Sequence, residues 1–287
     1  MEKIRIAVLM TCHNRRETAL VCLDALKNQK SIDNVTLQVY LVDAGSTDGT
    51  VDAVHRRFPE VNLIQRDDSL FWCGGMRVAF EVAVKGNYDY YLWLNDDATL
   101  LDHAVATLLA TSAEVCAGQN CDCIVVGSTR DPQTGQHTYG GLVRASRYRP
   151  IKFSPVPPSA KPQRCDTMNG NCVLLSREVV SLIGSLSAEF THAMGDTDYG
   201  LRAKARGVPI WVAPGYVGVC ARNPQPQWLN PKTPLRDRLK IMKSPKGRPP
   251  REWVLFTRRH TGFRWPIHLL GLYLRTLCPR LWTRQER

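Results

Sequence analysis

The chain has 287 residues, of which 44% are hydrophobic and 22% are charged, and these proportions exclude wholesale disorder. The net charge of +12 resides in the C-terminal part, because residues 222–287 contain 16 lysines and arginines against 3 acidic residues, whereas residues 1–221 have a net charge of −1. A basic body that follows a nucleic-acid backbone is therefore disfavoured, and the C-terminal segment is the part that would meet an anionic surface.

Three absences in the sequence bear on location and cofactors. The first residues lack the apolar core of a signal peptide, and no stretch approaches the roughly 20 apolar residues of a membrane-spanning helix. The ten cysteines include no CxxC pair with zinc-site spacing. The sequence thus predicts a cytoplasmic protein with neither a transmembrane helix nor a structural zinc site.

Short apolar runs alternate with segments of helical periodicity along the chain. Strands are predicted at 4–10, 36–42, 61–64, 90–94, 124–126, 172–175 and 208–212. Helices are predicted at 15–29, 51–58, 76–85, 100–115, 177–183 and 196–206. This alternation predicts an α/β fold with a mostly parallel sheet flanked by helices, interrupted by a long insertion at 129–165.

Polar clusters follow the first four predicted strands, at 11–15, 43–50, 66–75 and 95–97. In an open α/β sheet, ligands bind beyond the carboxyl ends of the strands. Each cluster alone is ordinary turn chemistry, and Ser46 could simply cap the next helix. Four such clusters at one edge of the sheet predict a binding site there.

Two pairs of carboxylates are candidates for chemistry. Asp96 and Asp97 directly follow a predicted buried strand, where adjacent carboxylates repel each other unless a cation compensates, and their oxygens suit Mg²⁺ or Mn²⁺. Capping of the helix at 100–115 is the alternative. Asp196 and Asp198 open a predicted helix, where one could act as a general base, although a favourable interaction with the helix dipole is the more ordinary explanation.

Three families of α/β proteins are excluded by their missing motifs. The sequence contains no GxGxxG after the first strand, no GxxxxGK[ST] and no GxSxG. Nicotinamide-dependent enzymes, P-loop NTPases and α/β-hydrolases are therefore not serious candidates.

Taken in order, the polar segments resemble those of the inverting family-2 glycosyltransferases with the GT-A fold, a Rossmann-like fold of nucleotide-diphospho-sugar transferases. The matching segments are 11–15 (TCHNR), 42–50 (VDAGSTDGT), 93–97 (WLNDD), 168–172 (MNGNC) and 195–202 (GDTDYGLR). Segment 71–76 (FWCGGM) is similar to a loop of bacterial rhamnosyltransferase-like members. The resemblance covers about residues 4–215 and leaves the C-terminal tail outside.

The resemblance implies a role for each matching residue. Asp196 would be the catalytic base, Asp97 would bind a Mg²⁺ or Mn²⁺ ion that bridges the donor diphosphate, and Asp43 would accept a hydrogen bond from the nucleotide base. The other donor-binding residues would be Thr11, Asn14, Arg15, Ser46, Asp48, Trp72, Gly74, Gly75, Asn95 and Asp96. The acceptor side would comprise Asn169, Gly170 and Asp198.

Two departures from the family pattern bear on catalysis. The family usually has Glu-Asp where this chain has Gly195-Asp196. Many members also place a histidine metal ligand just after the last strand, where this chain has no histidine. Cys220, Asn223 or water would have to take its place, so that metal dependence is less firmly predicted than the fold.

The resemblance predicts an inverting glycosyltransferase that uses a UDP- or dTDP-sugar, with dTDP-L-rhamnose suggested by segment 71–76. The acceptor would be a glycan or a lipid-linked sugar in cell-surface polysaccharide synthesis. One alternative is a nucleotide-sugar-binding protein without turnover. The other is a nucleic-acid-binding protein that uses the basic tail and its tryptophans, although the main interpretation expects no nucleic-acid partner.

The predicted organisation is a glycosyltransferase domain at 1–220, a proline-rich linker at 221–250 and a basic amphipathic tail at 251–287. Within the domain, the nucleotide-binding half would be about 1–128 and the acceptor half about 129–220. The tail places leucine or isoleucine at 267, 270, 274, 277 and 281, a helical spacing. It is predicted to lie on the inner face of the cell membrane, whereas a helix docked on the domain, or a dimer contact, is the alternative.

Overall fold

The computed structural model of the protein describes residues 3–117, 122–146 and 148–280. The strands in these residues are β1 (Ile4–Cys12), β2 (Val35–Ala44), β3 (Asn62–Arg66), β4 (Tyr90–Leu94), β5 (Thr99–Leu100), β6 (Ile124–Arg130), β7 (His137–Tyr139), β8 (Gly141–Ser146), β9 (Arg149–Pro155), β10 (Gln163–Cys165), β11 (Thr167–Met168), β12 (Cys172–Ser176) and β13 (Ile210–Val219). The helices are α1 (Arg16–Lys27), α2 (Thr50–Arg57), α3 (Phe71–Ala83), α4 (Ala104–Cys116), α5 (Arg177–Ile183), α6 (Gly195–Ala205), α7 (Leu235–Lys243), α8 (Pro250–Thr261) and α9 (Trp265–Leu277).

The central sheet has the strand order β10-β13-β6-β12-β4-β1-β2-β3. The strands β4, β1, β2 and β3 run parallel to one another, and β6 runs parallel to β13. The strand β12 joins these two groups in antiparallel orientation. A small second sheet consists of β11, β8 and β9 and occupies the predicted insertion. The predicted fold class, α/β with a mostly parallel sheet flanked by helices, is confirmed.

Both faces of the sheet are buried. Along β1, alternate residues point to opposite faces, so that Ala7 and Leu9 pack on the side of α3 and α6, whereas Ile6, Val8 and Met10 pack on the side of α1 and α4. A strand covered on both faces is apolar throughout, which explains the continuous hydrophobic run in the sequence. Because helices cover both faces of the sheet, the polar clusters lie at its edge, beyond the ends of the strands.

The predicted loop at 71–76 is wrong, because these residues form the first turns of α3. Two adjacent glycines lower helix propensity and hide the helix from sequence reasoning. Packing explains the presence of a glycine at position 75, because a Cβ atom there would lie 2.2 Å from Oγ1 of Thr11. The glycine lets α3 approach β1 closely, so that tertiary contact outweighs intrinsic propensity.

The segment predicted as a linker contains α7, and it buries Trp228 and Met242. The helices α8 and α9 follow, and Trp253 and Phe256 of α8 pack with Phe190 in one apolar cluster. The C-terminal segment is therefore docked on the α/β core along one face. Leu281 and Trp282 of the predicted tail lie outside the described residues. None of the helices in the described residues is long and apolar enough to cross a membrane.

Candidate active site

The polar clusters after β1, β2 and β4 converge because β1 lies between the other two strands. The loops after β1 and β2 are joined by hydrogen bonds, in which the Asn14 amide donates to Oγ of Ser46 at 2.8 Å and the Thr47 amide donates to Oδ1 of Asn14 at 2.7 Å. The amide of Arg16 donates to Oδ2 of Asp48 at 2.9 Å. Asn14, Ser46 and Asp48 thus shape the edge of the cleft by holding its two loops together.

Asp43 ends the buried part of β2 at this edge and is 2% exposed. Its carboxylate accepts a hydrogen bond from the Ser46 amide at 2.9 Å, and the Cys12 thiol lies 3.6 Å from its other oxygen. Burial, together with the neighbouring Asp43 charge, raises the pKa of Cys12, so that this thiol stays protonated. Asp43 is thus fixed in place at the position where the resemblance puts the nucleotide base.

The acidic pair Asp96 and Asp97 faces the side chain of Arg15. The Arg15 Nη1 atom lies 3.1 Å from Oδ1 of Asp96 and 2.6 Å from Oδ2 of Asp97. Burial raises the pKa of Asp96 to about 7, while the Arg15 charge opposes that rise. The alternative of a helix cap is wrong, because α4 begins at Ala104, seven residues after Asp97. The guanidinium is the counter-ion of both carboxylates in this structure.

The donors at this position fit a metal only in part. In residues 3–117, 122–146 and 148–280, no group of three or more His, Cys, Asp or Glu side chains could hold an ion. The Cys220 thiol lies 3.6 Å from Oδ1 of Asp97, but burial and the Asp97 charge raise its pKa to about 12, so that it is a poor ligand. The carboxylates of Asp96 and Asp97 fit a Mg²⁺ or Mn²⁺ ion whose remaining ligands are phosphate oxygens and water.

The opposite wall of the cleft is built by α3 and the segment before β12. The indole N–H of Trp72 donates to Oδ1 of Asn95 at 2.8 Å. A Cβ atom at Gly170 would lie 2.6 Å from the Trp72 ring and 3.3 Å from Cβ of Asp196. Trp72, Asn95, Gly170 and Asp196 therefore line one continuous surface.

The neighbouring predicted residues make contacts of their own. Asn169 directs its side-chain oxygen to the Gly140 amide, at 3.5 Å. Gly74 lies within α3, where an added Cβ would crowd Leu70. Both residues support the wall of the cleft through backbone and packing contacts.

Asp196 lies in the first turn of α6 and is half-buried. Its carboxylate accepts hydrogen bonds from the Gly170 amide at 3.0 Å and from the Thr197 amide at 2.7 Å. Burial raises its pKa, while these amide hydrogen bonds oppose the rise. A carboxylate with a raised pKa that is held by two amides is suited to accept a proton.

Asp198 does not face the cleft. Its carboxylate is fully buried and lies 2.8 Å from both Arg259 and His260 of α8, and 2.9 Å from Arg202. Burial alone raises the pKa of Asp198, but the hydrogen bonds from His260 and Arg259 outweigh it and leave the pKa lowered. We therefore exclude Asp198 from the acceptor side, since it joins α6 to the C-terminal helices.

Gly195 has a structural reason for departing from the family pattern. A Cβ atom at this position would lie 2.4 Å from Sγ of Cys73. The space that an acidic side chain would need is therefore filled by a buried thiol of α3. The backbone before the helix is also unusual, because Met194 adopts φ 71°, which is uncommon for a residue other than glycine.

Sequence reasoning missed the contribution of α8 to this site. Glu252 accepts hydrogen bonds from the Thr191 hydroxyl at 2.7 Å and from its amide at 3.2 Å, and so holds the segment that leads to Asp196. One signal was present: Glu252 is the single acidic residue between 238 and 285. With Trp253, Phe256 and His260 at helical spacing beside it, this segment has the pattern of a docked helix.

A cavity of about 720 Å³ lies at the opposite edge of the sheet, where β4 and β6 begin. Its lining includes Asp89, Asp122 and Glu178. Because ligands of open α/β sheets bind beyond the carboxyl ends of the strands, we place the candidate site in the cleft and not in this cavity.

Known proteins share the family and the fold of this chain. Residues 7–183 match the sequence profile described as "Glycosyl transferase family 2". A search of curated proteins finds no match. Among solved structures, the mannosyltransferase PcManGT from Pyrobaculum calidifontis, in complex with GDP-Man and Mn²⁺, is 16% identical with a TM-score of 0.55 over 99% of this chain and 84% of that one.

The S. aureus protein TarS (residues 1–349) is similar at 13% identity in two solved structures. The complex with UDP-GlcNAc has a TM-score of 0.57 over 95% of this chain and 72% of that one. The complex with UDP has a TM-score of 0.55 over 91% and 72%. At these identities the likeness shows a shared fold.

Proposed function

Since the chain belongs to glycosyl transferase family 2, we propose that it transfers a sugar from a nucleotide-diphosphate donor to an acceptor hydroxyl, with inversion at the anomeric carbon. The observation that carries this proposal is the cleft itself. A half-buried carboxylate with a raised pKa, Asp196, lies on one wall, and the acidic pair with Arg15 lies on the other. Trp72 connects the two groups, since its indole donates to Asn95, which directly precedes Asp96, while its ring packs at Gly170 beside Asp196.

In the proposed reaction, the acceptor hydroxyl attacks the anomeric carbon as its proton passes to the Asp196 carboxylate. The bond between the anomeric carbon and the diphosphate oxygen breaks, and the nucleoside diphosphate leaves with the electron pair. The amides of Gly170 and Thr197 hold the Asp196 carboxylate in place. General-base assistance of this kind contributes about 10²–10⁴-fold to the rate.

The leaving diphosphate gains negative charge, which the other wall would neutralise. Arg15 offers one positive charge there. We propose that Asp97, together with Asp96, holds Mg²⁺ or Mn²⁺, which supplies Lewis-acid stabilisation of the diphosphate when bound. The solved PcManGT complex contains Mn²⁺, which supports the proposal.

For the donor and the acceptor, we propose chemical classes and not single compounds. We propose a UDP- or dTDP-sugar, with Asp43 reading the base. The solved relatives hold GDP-Man, UDP-GlcNAc and UDP, so that they leave the donor open. The hypothesis of dTDP-L-rhamnose rested on segment 71–76 as a loop, and it has less support now that this segment is helical. A glycan or lipid-linked acceptor at the inner face of a membrane remains the proposal.

The two alternatives have less support in this structure. A binding protein without turnover was suggested by Gly195, which packing against Cys73 now explains. Nucleic-acid binding would use four tryptophans, of which Trp228 and Trp253 are buried, Trp265 is partly exposed and Trp282 lies outside the described residues.

A donor screen tests the proposal directly. The purified protein would be given UDP-, dTDP- and GDP-sugars together with a set of saccharide acceptors, and the release of nucleoside diphosphate would be measured with Mn²⁺, with Mg²⁺ and with EDTA. We expect release from one donor class above the level of Asp196→Asn. Donor binding without any release above that variant would overturn the proposal in favour of a binding protein.

The metal role is tested by the Asp97→Asn variant. We expect weaker donor binding than in the wild type in Mn²⁺ and equal binding in EDTA, because the carboxylate would reach phosphate only through the ion. Calorimetric titration with the donor measures both affinities. Equal affinity of the wild type in Mn²⁺ and in EDTA would refute the role of a metal in donor binding.

A further inference from the structure

The last helix, α9, has an inner face that is docked on the protein. Leu272 and Thr276 are buried, and Leu269 and Tyr273 pack against the cluster formed by α7 and α8. The indole N–H of Trp253 donates to the His268 carbonyl at 3.0 Å, which ties α8 to α9. The orientation of α9 about its own axis is therefore fixed.

The outer face of α9 is apolar and exposed. Phe263, in the turn just before α9, and Ile267, Leu270, Leu274 and Leu277 recur at spacings of four, three, four and three, and we call them the outer stripe. Their exposed fractions are 86%, 69%, 59%, 42% and 45%, respectively. Isolated apolar residues on a surface are ordinary, but a continuous apolar patch of this kind indicates an interaction site.

The charge around the outer stripe selects among possible partners. Residues 253–280 contain no aspartate or glutamate. Arg258, Arg264, Arg275 and Arg280 are exposed in the same stretch. An apolar stripe in a stretch of sequence that contains arginines and no acidic residue is complementary to an anionic lipid surface, where cations meet headgroups and apolar side chains enter the acyl boundary.

We propose that the outer stripe of α9 binds an anionic lipid bilayer and lies in the plane of its interface. With 13 residues at about 1.5 Å each, α9 is shorter than the roughly 30 Å hydrocarbon core, so that it cannot cross it. This inference deepens the proposed function, because it places the transferase beside a lipid-linked acceptor. It also assigns a different partner to each face of α9, since the inner face docks on the protein and the outer face contacts lipid.

The experiment measures sedimentation of the full-length protein with vesicles of phosphatidylcholine alone or mixed with phosphatidylglycerol. We expect binding to the mixed vesicles, weakened by high salt, and much less binding to phosphatidylcholine. The test variant carries Ile267→Glu and Leu270→Glu. Because the variant replaces two aliphatic side chains that would be buried in lipid by two negative charges, binding should fall at least about tenfold.

The matched control carries Val21→Glu and Leu182→Glu, which introduce the same charge at half-exposed aliphatic residues on α1 and α5. We expect it to sediment like the wild type. Circular dichroism and thermal unfolding establish that all variants are folded, and nucleotide release without vesicles should be unchanged. Nucleotide release therefore reports on the proposed activity, and sedimentation reports on the lipid surface.

Three outcomes would overturn the inference. In the first, the double variant sediments as the wild type does, and in the second, the wild type binds both vesicle types equally. In the third, light scattering without vesicles would show a wild-type dimer that the double variant dissociates, which would make a second copy of the chain the occupant of the outer stripe.

Discussion

Glycine at single positions allows the walls of the cleft to meet. An added Cβ would lie 2.2 Å from Thr11 at Gly75, 2.6 Å from Trp72 at Gly170 and 2.4 Å from Cys73 at Gly195. Each distance is well below a van der Waals contact, so that a larger residue must displace its neighbour. At the scale of residues, the site depends on the absence of a side chain at these three glycines as well as on its carboxylates.

The Asp196→Asn variant should bind donor as the wild type does but lose transfer by about 10²–10⁴-fold, since it keeps the shape and removes the base. Burial raises the pKa of Asp196, so the wild-type kcat should fall at acidic pH, with an inflection above the value of about 3.9 for a free aspartate. A pH profile of kcat checks this. A variant that keeps a tenth of the rate would show that another group is the base.

The Gly170→Ala variant should raise the KM for the donor and lower kcat. The new methyl group would push the Trp72 ring away and break its hydrogen bond to Asn95. Such overpacking typically costs about 1–3 kcal/mol. The control is Gly271→Ala in α9, where no atom lies within 4 Å of the added methyl group. Steady-state kinetics of both variants measure the effect, and equal kinetics would contradict the assignment of Trp72 to the site.

At the scale of elements, α8 is joined to α6 and to the segment that precedes it. The Asp198 carboxylate pairs with Arg259 and His260, and the Glu252 carboxylate accepts a hydrogen bond from the Thr191 hydroxyl. The first turn of α6, which carries Asp196, and the segment before it are therefore held by α8, which lies outside the region that matches the family profile, residues 7–183. In our proposal, the position of Asp196 as the general base depends on this contact between distant parts of the chain.

The Asp198→Asn variant should be less stable than the wild type near neutral pH by about 3–5 kcal/mol, because it leaves buried cations without their partner. The pKa of Asp198 is lowered in the folded state. Its contribution to stability is therefore complete above the unfolded pKa of about 3.9 and is lost as the pH falls through the folded value.

Urea unfolding at pH 7 and at acidic pH measures this difference in the free energy of unfolding. We expect the gap between Asp198→Asn and the wild type to narrow at acidic pH. The control is Asp33→Asn at an exposed loop position, which should unfold like the wild type. A gap that is independent of pH would assign the loss to packing and not to the ion pairs.

At the scale of the whole molecule, the uneven charge of the sequence separates a basic C-terminal part from a nearly neutral α/β core. The excess of +13 in residues 222–287 belongs to helices that dock on a nearly neutral α/β core. The C-terminal part thus has two roles in our interpretation. Its helix α8 holds the first turn of α6, and its helix α9 exposes the outer stripe.

Removal of residues 250–287 should destabilise the whole protein. The truncation would expose Phe190, Met194 and Leu201, which pack on α8 and α9, and would leave Asp198 with Arg202 alone among its present cations. We expect a lower Tm and poor recovery of soluble protein, whereas the Ile267→Glu and Leu270→Glu variant keeps the wild-type Tm. A truncated protein with the wild-type Tm and activity would contradict the docking of α8.

The sequence by itself determined the fold class, because alternating apolar runs and helical periods depend on local spacing alone. The strand at 90–94 and the helix at 177–183 coincide with β4 and α5 for that reason. The order of the polar motifs also predicted the edge at which the candidate site lies. Only the tertiary structure decided that segment 71–76 is helical, that Asp198 is a buried anchor and that α8 reaches the catalytic helix. These features arise from contacts between residues far apart in the chain, such as Gly75 with Thr11 and Asp198 with Arg259, which no local pattern records.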